Sequence, residues 1–409
     1  MRMGLYSLNF RCKSSLLALV PAILFFLLPH LAGAGVSGSA VTSLDGWDES
    51  GGAFNSSVSQ YFRLNTQGQW HGLDFNIEGS GRVTDIKDEV APGDSQLNRL
   101  YSLALTIARK DGSASMVLGR QMVSAPTNIY LIDGLSLNLD SGDFTFNTRL
   151  GAMSDVENLD PDNEITFGLG MDYRIISGMV LALDYARTFE GGALRTEQVA
   201  IDWDYSWFRY TRAYFNINYD LMSHALYETA VGTRLYFPDL ITLGIEYSQN
   251  QPLFESDSIY SAFAVDEAEA FSFSILFTPS PKVRYIWKLS DEFYKSGSGK
   301  RYTIGGRWSP GRSRISTEYT QYGGSEGDLK ELGFDYSAAV LPGFDLGLGG
   351  NASRTSNPGE DAVAGHNAYI GCRWSPASGP NVDVRLEQTG DDIMDKPVWS
   401  GHLSFSFGI

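Results

Sequence analysis

From about residue 36 to the C-terminus the chain runs in segments of roughly ten residues, in which apolar and polar side chains alternate and turn-forming residues mark the breaks. A period of two places successive side chains on opposite faces of a strand, whereas helices need 3.6. The last segment sets Trp399, Gly401, Leu403, Phe405, Phe407 and Ile409 against Ser400, His402, Ser404, Ser406 and Gly408. Phe271, Phe273, Ile275 and Phe277 oppose Ser272 and Ser274 in the same way, and Val382, Val384 and Leu386 oppose Asp383, Arg385 and Glu387. One face suits lipid and the other suits water. A soluble sandwich also alternates, but it packs its apolar faces into one core and does not sort its turns by length.

Here the turns are sorted. Short connections at residues 177–178, 237–239, 279–281, 309–311, 341–343 and 375–379 alternate with longer, acidic ones. The pattern predicts an all-β fold: a single transmembrane antiparallel β-barrel with short periplasmic turns and longer acidic extracellular loops. The strand count comes to about 22, with about 20 as the other reading, because the hairpins at residues 36–66 and 114–139 are the least sharply marked.

At the N-terminus Arg2, Arg11 and Lys13 precede the apolar run 14–31, and Ala32-Gly33-Ala34 follows as a small-residue cleavage site. Residues 1–34 are read as a cleaved signal peptide and 35–409 as the barrel, which places the mature protein in the outer membrane of a double-membraned bacterium. A retained anchor is the alternative, since the run is only a little short of the roughly 20 residues a spanning helix needs. Cleavage removes three basic and no acidic residues, so the formal charge moves from -17 to -20. Such an acidic chain is a poor partner for nucleic acid. Cys12 departs with the signal, Cys372 remains alone, and neither an internal disulfide nor a Cys-x-x-Cys haem or metal motif is available. No cofactor is expected.

Two short resemblances add to this reading. Leu403, Phe405, Phe407 and Ile409 resemble the terminal signal by which barrel-assembly machinery reads outer-membrane proteins, although that signal normally closes on an aromatic and this chain closes on isoleucine. Leu118-Gly119-Arg120-Gln121, followed by Ile132-Asp133-Gly134-Leu135, resembles a pattern of several porin-like channel families, including alginate-export proteins. The resemblance implies a porin-like channel and makes Arg120 and Asp133 the first candidate pore-lining residues. Lys282, Arg284 and Lys288 follow, as a basic row along one strand.

Residues opposite the apolar faces point inward, and they hold as many acids as bases. That balance argues against a dedicated phosphate or polyanion pore, which would carry excess arginine and lysine. The acid excess falls in loops, around Asp85 to Asp94, Asp155 to Glu164 and Glu255 to Glu267, where it forms a solvated outer surface or meets cations bridging lipopolysaccharide.

Barrels this wide need filling or narrowing. The sequence shows no plug domain of the TonB-dependent kind, and the segment 122–132, which contains Pro126, is read as bending inward beside Arg120 but as too short to fill the bore. Two functions follow: a channel for passive passage of ions or small hydrophilic solutes, or a sleeve holding a periplasmic multihaem cytochrome, as in porin-cytochrome conduits. Enzymatic activity is not expected, because His71, His224, His366 and His402 lack an evident acid-and-nucleophile arrangement.

Overall fold

The computed structural model describes residues 35–48, 54–87, 95–154, 161–207, 209–238, 240–250, 268–294, 297–325, 327–377, 379–394 and 396–408. Residues 1–34, expected to be a leader, Ile409 and the acidic connections at 88–94, 155–160 and 251–267 lie outside these residues.

Twenty-two strands follow one another. The first eight are β1 (Gly35–Asp48), β2 (Phe54–Trp70), β3 (Leu73–Lys87), β4 (Ser95–Arg109), β5 (Ala114–Ala125), β6 (Asn128–Ser141), β7 (Phe144–Ser154) and β8 (Pro161–Ile176). Next come β9 (Met179–Glu190), β10 (Ala193–Trp207), β11 (Thr211–Asp220), β12 (Ala225–Phe237), β13 (Ile241–Asn250), β14 (Ala268–Ser280) and β15 (Val283–Tyr294). The series ends with β16 (Gly297–Trp308), β17 (Ser313–Gly324), β18 (Gly327–Leu341), β19 (Phe344–Ser356), β20 (Val363–Trp374), β21 (Asn381–Asp391) and β22 (Val398–Gly408). Each pairs antiparallel with its sequence neighbours, and β22 returns to pair with β1 from Ser39↔Gly408 to Trp47↔Ser400. The sheet is therefore a closed barrel of 22 strands.

The two-residue period sets the faces. Leu150, Leu169, Phe271, Ile304, Leu332, Ile370 and Leu386 are large, apolar and exposed, and they share the outer face. Such a belt is unfavourable against water and suits hydrocarbon. Inward positions are polar: Ser59 donates to or accepts from Thr84 at 2.9 Å across β2 and β3, and Arg373 meets Asp383 at 3.0 Å across β20 and β21. Exposed aromatics Trp207, Phe237, Trp308 and Trp374 close their strands at the end that carries the β10–β11, β12–β13, β16–β17 and β20–β21 turns. Aromatic girdles at an interface have this placement.

Turn lengths differ between the two ends, but less uniformly than the alternation suggested. The end carrying both termini has turns such as 142–143, 177–178 and 342–343, while the other end has the longest connection, 251–267, together with a pair as tight as 191–192. Lys282 also falls in a turn, between β14 and β15, so the basic row along β15 reduces to Arg284 and Lys288. The core of buried apolar residues is small, and it lies inside the barrel: Tyr130, Ile132 and Ala186, with Val123, Ala125 and Met153 packed around them.

Leu386→Arg tests the lipid face. An arginine near the bilayer midplane of a barrel costs about 2–4 kcal/mol, so reversible urea unfolding in lipid should show a loss of that size. The same change at the inward Glu387 should cost much less, and equal costs would mean that the faces are assigned wrongly.

Candidate functional site

The interior core exists because one hairpin leaves the wall. β5 pairs with β4 only from Ala108↔Ser115 to Leu103↔Arg120, and β6 pairs with β7 only as far as Ile132↔Met153. Beyond those points β5 and β6 pair with each other alone, up to Ala125↔Asn128. Residues 121–131 thus form a flap hinged on the wall.

The hinge is the motif read in the sequence. Its two halves lie opposite one another: Leu118↔Leu135, Gly119↔Gly134, Arg120↔Asp133 and Gln121↔Ile132. Gly119 has φ +113, a conformation that L side chains rarely adopt, at the residue where β5 begins to turn away. A Cβ on Gly134 would stand 2.1 Å from the carbonyl oxygen of Leu150, so the neighbouring strand can approach only a glycine.

Arg120 and Asp133 hold the fork. The Arg120 Nε donates to Asp133 Oδ1 at 2.8 Å and Nη2 donates to Oδ2 at 2.6 Å, a bidentate pair, while the Ser154 hydroxyl donates to the same carboxylate at 2.8 Å. Arg120 is 4% exposed. A guanidinium fork matched to a planar carboxylate fixes orientation as well as distance. Gln121 completes the hinge, donating to the Val117 carbonyl at 3.1 Å and accepting from Ser136 at 2.7 Å.

The tip of the flap is fastened to the adjoining stretch of wall, on β7, β9 and β11. The Thr127 hydroxyl donates to Asp184 of β9 at 2.5 Å and accepts from Arg149 Nη2 of β7 at 3.1 Å, and the Thr127 carbonyl accepts from Asn218 of β11 at 2.7 Å. Arg149 and Asp184 are themselves bidentate at 3.0 and 2.8 Å and almost fully buried. They span β8, and Gly168 permits it, since a Cβ there would lie 2.3 Å from the Arg149 guanidinium carbon. The guanidinium also stacks over the Tyr130 ring at 4.7 Å. The side of the flap bearing Tyr130 and Ile132 therefore packs on the inner wall, and Met122 and Ile129, 73% and 63% exposed, lie on its other side.

Of the candidate residues, Arg120 and Asp133 come together at this hinge. Arg284 and Lys288 stand on β15, well round the barrel from it, and Lys282 lies in the turn before. The latch of Thr127, Arg149, Asp184 and Asn218 was not read from the sequence. Its available signal was the pair of glycines, Gly168 and Gly170, on the inward face between two strands bearing opposite charges.

No protein-family model and no curated protein match the chain. Among solved structures it is similar to the translocation pore of the P pilus usher PapC, with 10% identity and a TM-score of 0.52 over 91% of this chain and 99% of that one. It is also similar to Pseudomonas aeruginosa OpdQ, with 11% identity and a TM-score of 0.50 over 92% and 98% of the two chains. The likeness is one of architecture, that of a closed transmembrane-type β-barrel.

Asp184→Asn tests the latch. Removing one partner of a buried pair costs about 3–5 kcal/mol, more than the roughly 1 kcal/mol a single hydrogen bond to the tip returns. Amide hydrogen exchange across residues 121–131 should accelerate about 100-fold or more, whereas replacing both charges, as Arg149→Met with Asp184→Leu, should disturb it less. Unchanged exchange in Asp184→Asn would show that the pair does not hold the flap.

Proposed function

We propose that this protein is an outer-membrane channel for passive passage of ions or small hydrophilic solutes, narrowed by the β5–β6 flap. The observation that carries the proposal is the flap itself, a segment of the chain's own wall latched inside a closed barrel. A barrel of about 22 strands encloses more space than its wall side chains can fill, and a strand pair folded inward divides that space without closing it. The inward face stays wet and polar, as a solute path requires. The lipid-facing belt and the girdle supply the setting, with the short-turn end and both termini on the periplasmic side. One of the similar structures is named a translocation pore, which agrees with a conducting lumen.

The flap also weighs on the sleeve reading. Tyr130 and Ile132 are packed on the wall by side chains of the barrel itself, so the interior partner in this region is internal. A cytochrome would have to share the bore with the flap or displace it and break the Arg149–Asp184–Thr127 cluster.

Planar-bilayer recording of the purified mature protein decides between the two, with haem staining of whatever copurifies from native membranes. Stable open currents from haem-free protein are expected. Replacing residues 122–131 by a two-glycine turn should raise the single-channel conductance about twofold, as expected when a constriction is removed from a wide pore. Absence of current, together with a tightly bound multihaem protein, would reject the channel.

A further inference from the structure

Several inward arginines of this barrel hold a carboxylate even where they are well exposed. Arg63 meets Glu78 at 3.1 Å, Arg301 meets Glu292 at 2.7 Å, and Arg373, with a side chain 64% exposed, meets Asp383 at 3.0 Å. Three neighbours have no such partner. Arg284, Arg307 and Arg314 lie on β15, β16 and β17 and make no ion pair or hydrogen bond with any described residue.

Their registers gather them. Arg284 stands directly opposite Arg307, and Arg307 stands opposite Ser316, one inward position from Arg314. Arg307 lies within electrostatic reach of both other guanidinium groups. All three border one cavity of about 700 Å³, open to the lumen. Like charges directly opposite on a sheet are destabilising, and exposure does not explain the missing partners, since Arg373 is as accessible and paired. Glu318, Glu331 and Asp335 border the same cavity, but Asp335 accepts from the Tyr369 hydroxyl, Glu331 accepts from Asn351, and none of the three forms an ion pair with these arginines. The guanidinium donors are therefore left for oxygens of a ligand from solution.

We infer that Arg284, Arg307 and Arg314 form a binding station for a small anionic solute bearing carboxylate or phosphate oxygens. Guanidinium groups present paired N–H donors in a plane that such oxygens accept two at a time. The station lies near the short-turn mouth, since Arg284 and Arg314 are the second residues of their strands and Arg307 the last but one of its own. It faces the lumen, away from the lipid belt, which sets it apart from headgroup binding. The inference rests on the channel reading and names the class of solute that the channel favours.

The test uses the complete mature protein and the variant Arg284→Gln/Arg307→Gln/Arg314→Gln, with Lys330→Gln as a control for removal of charge elsewhere. In bilayers under a KCl gradient the wild type should prefer chloride to potassium, and added succinate or phosphate should reduce the chloride current. The triple variant should lose the preference and weaken the block by on the order of tenfold or more, the loss expected for a charge-assisted contact. The control should retain both. Calorimetric titration of detergent-solubilised protein with succinate, and separately with phosphate, reads the station without any current. Binding of either probe that the triple variant loses supports the inference, and the probe that binds tells a carboxylate from a phosphate site. Equal selectivity in wild type and variant, or no binding of either probe, overturns it. Binding in a protein that does not conduct would support the station and reject the channel.

Discussion

Closure of the hydrogen-bond ladder governs everything else in this molecule. In hydrocarbon each backbone N–H and C=O must find its partner within the protein, because an unsatisfied group costs several kcal/mol and no water is there to take its place. A sheet meets that demand only by returning on itself, which β22 does by pairing with β1 over nine positions, Ser39 to Trp47. Once the strands number 22, the bore follows from geometry, and what occupies the bore becomes a separate problem for the sequence.

The flap is one solution to that problem, and it conflicts locally with closure. Where β5 leaves, β4 keeps its pairing with β3 but loses it on the other side beyond Leu103. Arg120 partly repairs the gap: besides clasping Asp133, its Nη1 donates to the carbonyl of Leu100 at 3.4 Å, standing where a β5 amide would have stood. At the far end Asn218 does the same for the Thr127 carbonyl, a backbone acceptor brought into the interior without a strand beside it. Side chains thus replace ladder partners at both ends of the departing segment. That is why a buried polar cluster is found here, at a place where an apolar contact would leave backbone groups unpaired.

Much of this was legible in the sequence. Alternation is a local property, so the strands, their faces and a count of about 22 could be read directly. An inward bend of 122–132 beside Arg120 was read too, and a resemblance singled out Gly119-Arg120-Gln121 and Ile132-Asp133-Gly134, but their pairing across one hairpin was not read, since the segment 114–139 was among the least sharply marked. The latch was not, because Thr127, Arg149, Asp184 and Asn218 come from four elements, and nothing local ties the tip of one hairpin to the wall three and five strands on. The inward charges show the same limit. A count of signs gives a neutral wall, yet the count is blind to position round the barrel. β15 and β16 pair from Tyr294↔Gly297, and carrying that register down the strands brings Arg284 opposite Arg307. The information was in the chain, but only through a strand register that the sequence did not make plain.

Burial explains why two arginine environments with opposite habits coexist in one lumen. Around Arg149 water is excluded, and an unpaired guanidinium there would carry a desolvation penalty of several kcal/mol. It is accordingly held by Asp184, Thr127 and the Tyr130 face. Arg284, Arg307 and Arg314 stand in the open bore, and even at contact distance two unit charges repel by only about 1 kcal/mol in bulk water. The fold tolerates that much without a partner of its own. The same cluster becomes far more effective when a solute displaces the screening water, since the interaction grows as the local dielectric falls. Paired charges therefore hold the flap in place, and unpaired ones remain available to whatever passes it.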